Sequence, residues 1–232
     1  MEKQPTNIVV VGAGYAGLLA TVRLAGKVKR EIKRGEIAIT LVNAADVFIE
    51  RLRLHQFAAA WPMPYRPISQ ILDGTGVTFK RGLLTGIDAA QHDLTLETGA
   101  GSQNLHYDQL VYGLGSLIER DSVPGVREYA YVLAPSGPHS AAELREILPM
   151  LNARSGRLLV CGGGATGIEA AAKFADMYPN LHVQLITRDR FGSFVKPKIT
   201  NYMRRSLDRL SVAIQDQTTI AEVKANEAVS VD

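Results

Sequence analysis

The chain has 232 residues, 46% hydrophobic and 21% charged, which is the make-up of a globular protein with one large or two small domains and not of a disordered one. Its 26 basic and 23 acidic side chains leave a net charge of +3, and no aromatic residues interleave with the densest basic run, residues 27–34, so a nucleic-acid partner is not expected. The single cysteine excludes an intrachain disulfide framework.

The opening residues carry neither a signal-peptide nor a transit-peptide pattern, and the longest apolar stretch, residues 8–22, is interrupted by glycines and stopped by Arg23. The expected location is therefore the cytoplasm, without a transmembrane segment. In chain order the first element is "IVVV" at residues 8–11, a β-branched run that predicts a strand buried in a parallel sheet. After a glycine cluster, Ala16, Ala20 and Leu24 recur at helical spacing and predict a helix to Lys27, with the basic run as its solvated end. "EIAITLVN", residues 36–43, reads as a second buried strand, which completes a strand–turn–helix–strand unit. Pro62, Pro64 and Pro67 keep residues 46–71 irregular, apart from a helical turn around 54–60. From 77 to 113, "VTFKRGLLTGID", "DLTLETG" and "LHYDQLVYGLG" predict a β-meander and then a strand that rejoins the parallel sheet.

"SVPGV", residues 122–126, is the strongest boundary signal, because proline and glycine meet there between two patterned regions. It divides the chain into expected domains 1–122 and 123–232. Beyond it the pattern predicts a helix over 140–151, a buried strand over 157–161 ending in an inert Cys161, a helix over 165–177 and a strand over 181–187. The fold class is α/β, with two Rossmann-like dinucleotide-binding units, parallel sheets, and a β-meander in the first unit.

Gly12, Gly14 and Gly17 fit G-x-G-x-x-G between a strand and a helix, with Tyr15 and Ala16 inside the turn. The first glycine allows a tight turn, the second lets main chain approach a pyrophosphate, and the third lets helix and strand pack closely. The acid expected at the end of the second strand is replaced by Asn43, whose amide can bond a ribose hydroxyl without charge, and Asp46 is the fallback. Gly162, Gly164 and Gly167 repeat the three roles, with Thr166 in the turn and Glu169 expected in the first helical turn, where it either complements the helix dipole or faces a nicotinamide. At the end of the following strand Thr187 stands where an acid would select NADH, and Arg188 and Arg190 follow. They suit a 2′-phosphate, so NADPH or dual use is favoured over strict NADH, unless both are simply solvated.

"GAGYAGLLA", "RLHQFAAA", "YDQLVYGLGS" and "GGGATGIEAA" together resemble the two-dinucleotide-binding flavoproteins of the pyridine nucleotide-disulfide oxidoreductase superfamily, and within it the type II NADH dehydrogenases and their apoptosis-inducing-factor-like relatives. The resemblance implies FAD on the first unit and NAD(P)H on the second, with hydride passing from nicotinamide to flavin. It places main chain at Leu84 against the adenine, although a core-facing leucine explains the side chain equally well. It lets the strand carrying Gly113 and Gly115 pass close to the flavin, brings Glu169 toward the nicotinamide, and sets Arg53 and His55 in the flavin region, with a structural role as the other reading of both. No C-x-x-x-x-C pair is present, so electrons would leave to an external acceptor such as a quinone, oxygen or a protein carrier. No catalytic acid or base and no metal site is identified. The third flavin motif and the C-terminal interface domain that the resemblance would add are missing from these 232 residues, which implies a fragment, a truncated gene product or one piece of a split protein. Peripheral membrane contact and a homodimer stay open, as does the alternative of a non-catalytic dinucleotide-binding module or redox sensor.

Overall fold

The computed structural model describes residues 4–231. The first half of the chain runs β1 (Thr6–Val11), α1 (Tyr15–Lys27), α2 (Lys29–Lys33), β2 (Ile37–Asn43), a 3-10 turn (Arg51–Arg53) leading into α3 (Leu54–Ala58), α4 (Ile68–Leu72), β3 (Thr78–Arg81), β4 (Leu83–Asp88), β5 (Asp93–Thr98), β6 (Gly101–His106) and β7 (Gln109–Tyr112). The second half runs α5 (Val126–Tyr129), α6 (Ala141–Ala153), β8 (Arg157–Cys161), α7 (Ala165–Met177), β9 (His182–Ile186), α8 (Pro197–Arg209), β10 (Ala213–Gln215), β11 (Ile220–Lys224) and β12 (Glu227–Ser230). Among the described residues no helix is long and apolar enough to cross a membrane.

Residues up to 50 and 64–117 form one unit; residues 51–63 and those from 118 onward form the other. The sequence boundary at 122–126 thus lies a few residues beyond the crossing. Those residues are held inside the second unit, where the Val223 N–H on β11 donates to the Pro124 carbonyl at 2.9 Å. The second difference is the excursion of 51–63, which the sequence pattern does not announce.

In the first unit a four-stranded parallel sheet has the order β3-β2-β1-β7. Alternation along β1 sends consecutive valines to opposite faces. Val9 and Val11 pack with Val42, Leu94, Leu96 and Tyr107 on the side of the antiparallel meander β4-β5-β6, whereas Val10 packs with Leu18, Leu41, Ile68 and Leu72 beneath α1 and α4. Both faces of β1 are therefore covered, as its unbroken β-branched sequence requires. Residues 77–88, read as one strand, are two: β3 extends the parallel sheet and β4 begins the meander, with Gly82 between them.

The second unit repeats the plan with a three-stranded parallel sheet of order β10-β9-β8 and a hairpin β11-β12. α7 packs on β8 and β9, burying Ile168, Ala171 and Phe174 against a sheet whose Val183 and Leu185 are also buried. The β8 strand corrects the sequence expectation. It is an edge strand, it alternates between exposed and half-buried residues, and Cys161 at its end is exposed. Desolvation nevertheless pushes the Cys161 thiol above its ordinary pKa. Alkylation by iodoacetamide at neutral pH is expected to be slower than for a free cysteine, because less thiolate is present. A rate matching free cysteine across the pH range would contradict this.

Candidate functional site

The first glycine turn starts where β1 ends. The Gly12 N–H donates to the Val42 carbonyl at 2.8 Å, and Gly12 has φ +98°, a left-handed conformation that side-chain-bearing residues rarely adopt. A Cβ on Gly17 would overlap the Gly12 carbonyl oxygen, so only glycine lets α1 begin that close to β1. Gly14 behaves oppositely, because a Cβ there would meet no protein atom within 4 Å. It is the N-cap of α1 and offers no side chain to the helix, whose ladder begins with the Leu18 N–H donating to the Gly14 carbonyl at 3.0 Å. The N–H groups ahead of Leu18, those of Tyr15, Ala16 and Gly17, thus have no partner within the helix and front an open space. That is the donor set and the room that an anionic pyrophosphate needs.

The second turn has the same construction. The Gly162 N–H donates to the Ile186 carbonyl at 2.8 Å, φ at Gly162 is +122°, a Cβ on Gly167 would overlap the Gly162 carbonyl, and Gly164 caps α7 with open space before it. Thr166 lies in the uncapped first turn. The residues of both turns fit a dinucleotide phosphate.

The other predicted residues fall as follows. Asn43 is committed to the first turn itself: its Oδ1 accepts from the Ala13 N–H at 3.0 Å and its Nδ2 donates to the Ala45 carbonyl at 2.8 Å. A short amide serves this brace, which explains why the place of the usual acid is filled without charge. Asp46 stands 3.9 Å from Arg81. Leu84 packs against the meander-side core, and the β4–β5 register shifts between it and Gly86. The Gly113 N–H donates to Val11 at 2.7 Å, and a Cβ on Gly113 would lie 3.3 Å from the Gly17 Cα, so the returning strand and the first turn are built against each other. Gly115 follows with positive φ.

Arg53 lies in the excursion that joins the second unit, and its Nε donates to Gln56 Oε1 at 2.8 Å. Glu169 is the fifth residue of α7, one turn later than the sequence expectation, so it is not a first-turn partner of the helix dipole. Arg188 is 75% exposed and 3.6 Å from Asp189. Thr187 is buried, packed where a Cβ on Gly163 would strike it.

One contact is not foreshadowed by the sequence. His55 Nδ1 on α3 lies 3.9 Å from Glu169 Oε2 on α7. The two residues are far apart in the chain and fit no spacing rule, so only the path of 51–63 brings them together. That path is held by Arg145 on α6, which donates to the Phe57 carbonyl at 3.1 Å and lies 5.1 Å from the Phe57 ring, and by Lys173, 4.0 Å over the Trp61 ring.

Two strand–glycine–helix turns of one design, on two parallel-sheet units, define a two-dinucleotide-binding α/β protein. The chain belongs to the pyridine nucleotide-disulphide oxidoreductase family, whose description matches residues 6–232, a family that binds FAD. It is 26% identical over 230 residues to a demethylphylloquinone reductase, NdbB, of Synechocystis sp., covering 95% of this chain and 56% of that protein. It is 28% identical over 195 residues to a type II NADH:quinone oxidoreductase of Staphylococcus saprophyticus, covering 78% of this chain and 46% of the relative. The chain thus spans about half the length of these curated relatives. The fold matches that of NDH2 from Plasmodium falciparum in complex with NADH, with a TM-score of 0.78 at 16% identity over 98% of this chain and 53% of that one. It also matches a NAD-dependent persulfide reductase from A. fulgidus, with a TM-score of 0.77 at 21% identity over 97% and 43%.

Proposed function

We propose that the chain is the dinucleotide-binding part of an FAD-dependent NAD(P)H oxidoreductase that passes electrons to a quinone or similar acceptor in the cytoplasm or from its cytoplasmic side. The observation that carries the reading is the pair of matched turns, each an uncapped helix start behind a glycine that leaves room for a phosphate. The first unit, residues up to 50 and 64–117, takes FAD, and the second takes NAD(P)H. The quinone acceptor is supported by the names of the two curated relatives.

FAD, when bound, supplies a two-electron carrier able to accept hydride and hand electrons onward. The protein's part is placement. Gly14 and Gly164 leave main-chain N–H groups open to the pyrophosphates, and Asn43 fixes the first turn through Ala13. Gly113 lets the returning strand close against that turn, and holding each dinucleotide at its phosphates restricts where its ring can lie. A visible absorption spectrum of the purified chain, followed by anaerobic addition of NADH, tests the proposal. Flavin bands that bleach on NADH are expected. NADH affinity with no flavin, even after FAD is added, would instead make the chain a non-catalytic dinucleotide-binding module.

For coenzyme choice, Arg188 directly follows the buried Thr187 and is free to swing onto a 2′-phosphate. Its exposure and the nearby Asp189 screen its charge, so Arg188→Ala should weaken NADPH binding by about 1.5 kcal/mol, the low end for a charge-assisted hydrogen bond, and leave NADH nearly unchanged. Equal losses for both coenzymes in a binding titration would show that this arginine does not discriminate.

A further inference from the structure

The second unit holds a buried titratable group that placement of phosphates does not use. His55 is 7% exposed. Its ring faces Glu169 and Lys173 from α7 and Arg53 from its own segment, while Arg145, on the other packed helix α6, is turned onto Phe57. Glu169 is 57% exposed at the side chain, two residues past Gly167 and about 6 Å along α7 from the helix start. Along the axis that rise is short compared with the length of a dinucleotide. The carboxylate has solvent on one side and a buried imidazole on the other.

We propose that His55 is a positioning residue that sets the charge Glu169 presents to a nicotinamide ring, and so makes the second unit's preference between oxidised and reduced dinucleotide depend on pH. This rests on the reading that the second unit binds NAD(P)H. The oxidised ring is cationic and the reduced ring neutral, so an unbalanced carboxylate nearby favours the oxidised form. An imidazolium 3.9 Å from that carboxylate offsets it. Desolvation holds His55 below its ordinary pKa of 6.5, against the pull of Glu169 and with Lys173 and Arg53 adding to the lowering. At neutral pH the ring is therefore uncharged and Glu169 acts fully. Protonation comes only below pH 6.5, where the preference for the oxidised form weakens.

The test measures Kd for NADH by its fluorescence and for NAD+ by calorimetry, on the full chain, at about pH 7.5 and in steps downward through about pH 5. The ratio Kd(NAD+)/Kd(NADH) is expected to rise about three- to tenfold on acidification, the scale of one partly screened charge. It should stay flat in His55→Gln. Glu169→Gln alters only an exposed side chain and keeps the fold; its ratio should already be raised at the higher pH and be flat below. A flat ratio in the unmodified chain, or the same pH change in both variants, overturns the proposal while leaving nucleotide binding intact. No binding of either nucleotide at either pH removes the NAD(P)H reading itself, and this inference with it.

Discussion

Gly14→Val is expected to strip the first unit of its flavin without unfolding it. Beyond the adjoining residues no protein atom lies within 4 Å of a Cβ at this position, so the side chain starts into open space, and the free protein should lose only about 1 kcal/mol, the cost of a poorer N-cap. The same space is where, in the proposed site, the pyrophosphate approaches the N–H groups of Tyr15 and Ala16. A branched side chain there removes the approach, and FAD affinity should fall at least about a hundredfold, or about 2.7 kcal/mol. Flavin content after purification and an FAD titration read this directly, with circular dichroism as the check on folding. Undiminished flavin would take the first turn out of the binding site.

Gly17→Val should do the reverse, because the damage there is to the fold. Its Cβ would overlap the Gly12 carbonyl oxygen, which is main chain held by the β1–β2 junction and cannot rotate away as a side chain could. Relief requires α1 to move off β1, which disturbs the packing of Leu18 on Val10, Leu41 and Ile68. The expected cost is about 3 kcal/mol or more, seen as a lower midpoint in urea or heat, with flavin lost only as a consequence. A Gly17→Val protein as stable as its parent would mean that the helix start is looser than this geometry. The pair of variants separates two jobs that the glycine pattern merges, since G-x-G-x-x-G looks the same whether a glycine makes room for a ligand or for a helix.

What the sequence discloses of this protein is whatever rests on short-range pattern. The run at 8–11 has no polar residue for a solvent face, so both of its faces must be covered, and they are. The two turns themselves are legible because Gly12, Gly17, Gly162 and Gly167 each hold a conformation or a close contact that no other residue meets, whereas Gly14 and Gly164 face only the open space in which a phosphate is proposed. Pattern is silent on which sheet a strand joins. Residues 78–88 carry two glycines, Gly82 and Gly86, and nothing in the pattern tells that the first hands the chain from one sheet to another while the second sits within a strand. It is equally silent on whether a strand ends up central or at an edge, which is why Cys161 is exposed where burial was expected. The His55–Glu169 contact was hidden for a third reason: each residue is explicable alone, and only the excursion of 51–63 makes them neighbours.

That excursion also imposes an order of events during synthesis. Residues 51–63 leave the ribosome early, but the helices they pack on, α6 and α7, end only at Ala153 and Met177. At about 5–20 residues per second, roughly 6–23 seconds separate the emergence of this segment from that of its full docking surface. The first unit has all of its strands once β7 is out, and can close around a looped-out segment carrying Phe57 and Trp61 that has as yet nothing to pack on. Vectorial folding is therefore expected to finish one half with an apolar loop still waiting for the other, a loop that a chaperone or a protease can reach in the interval.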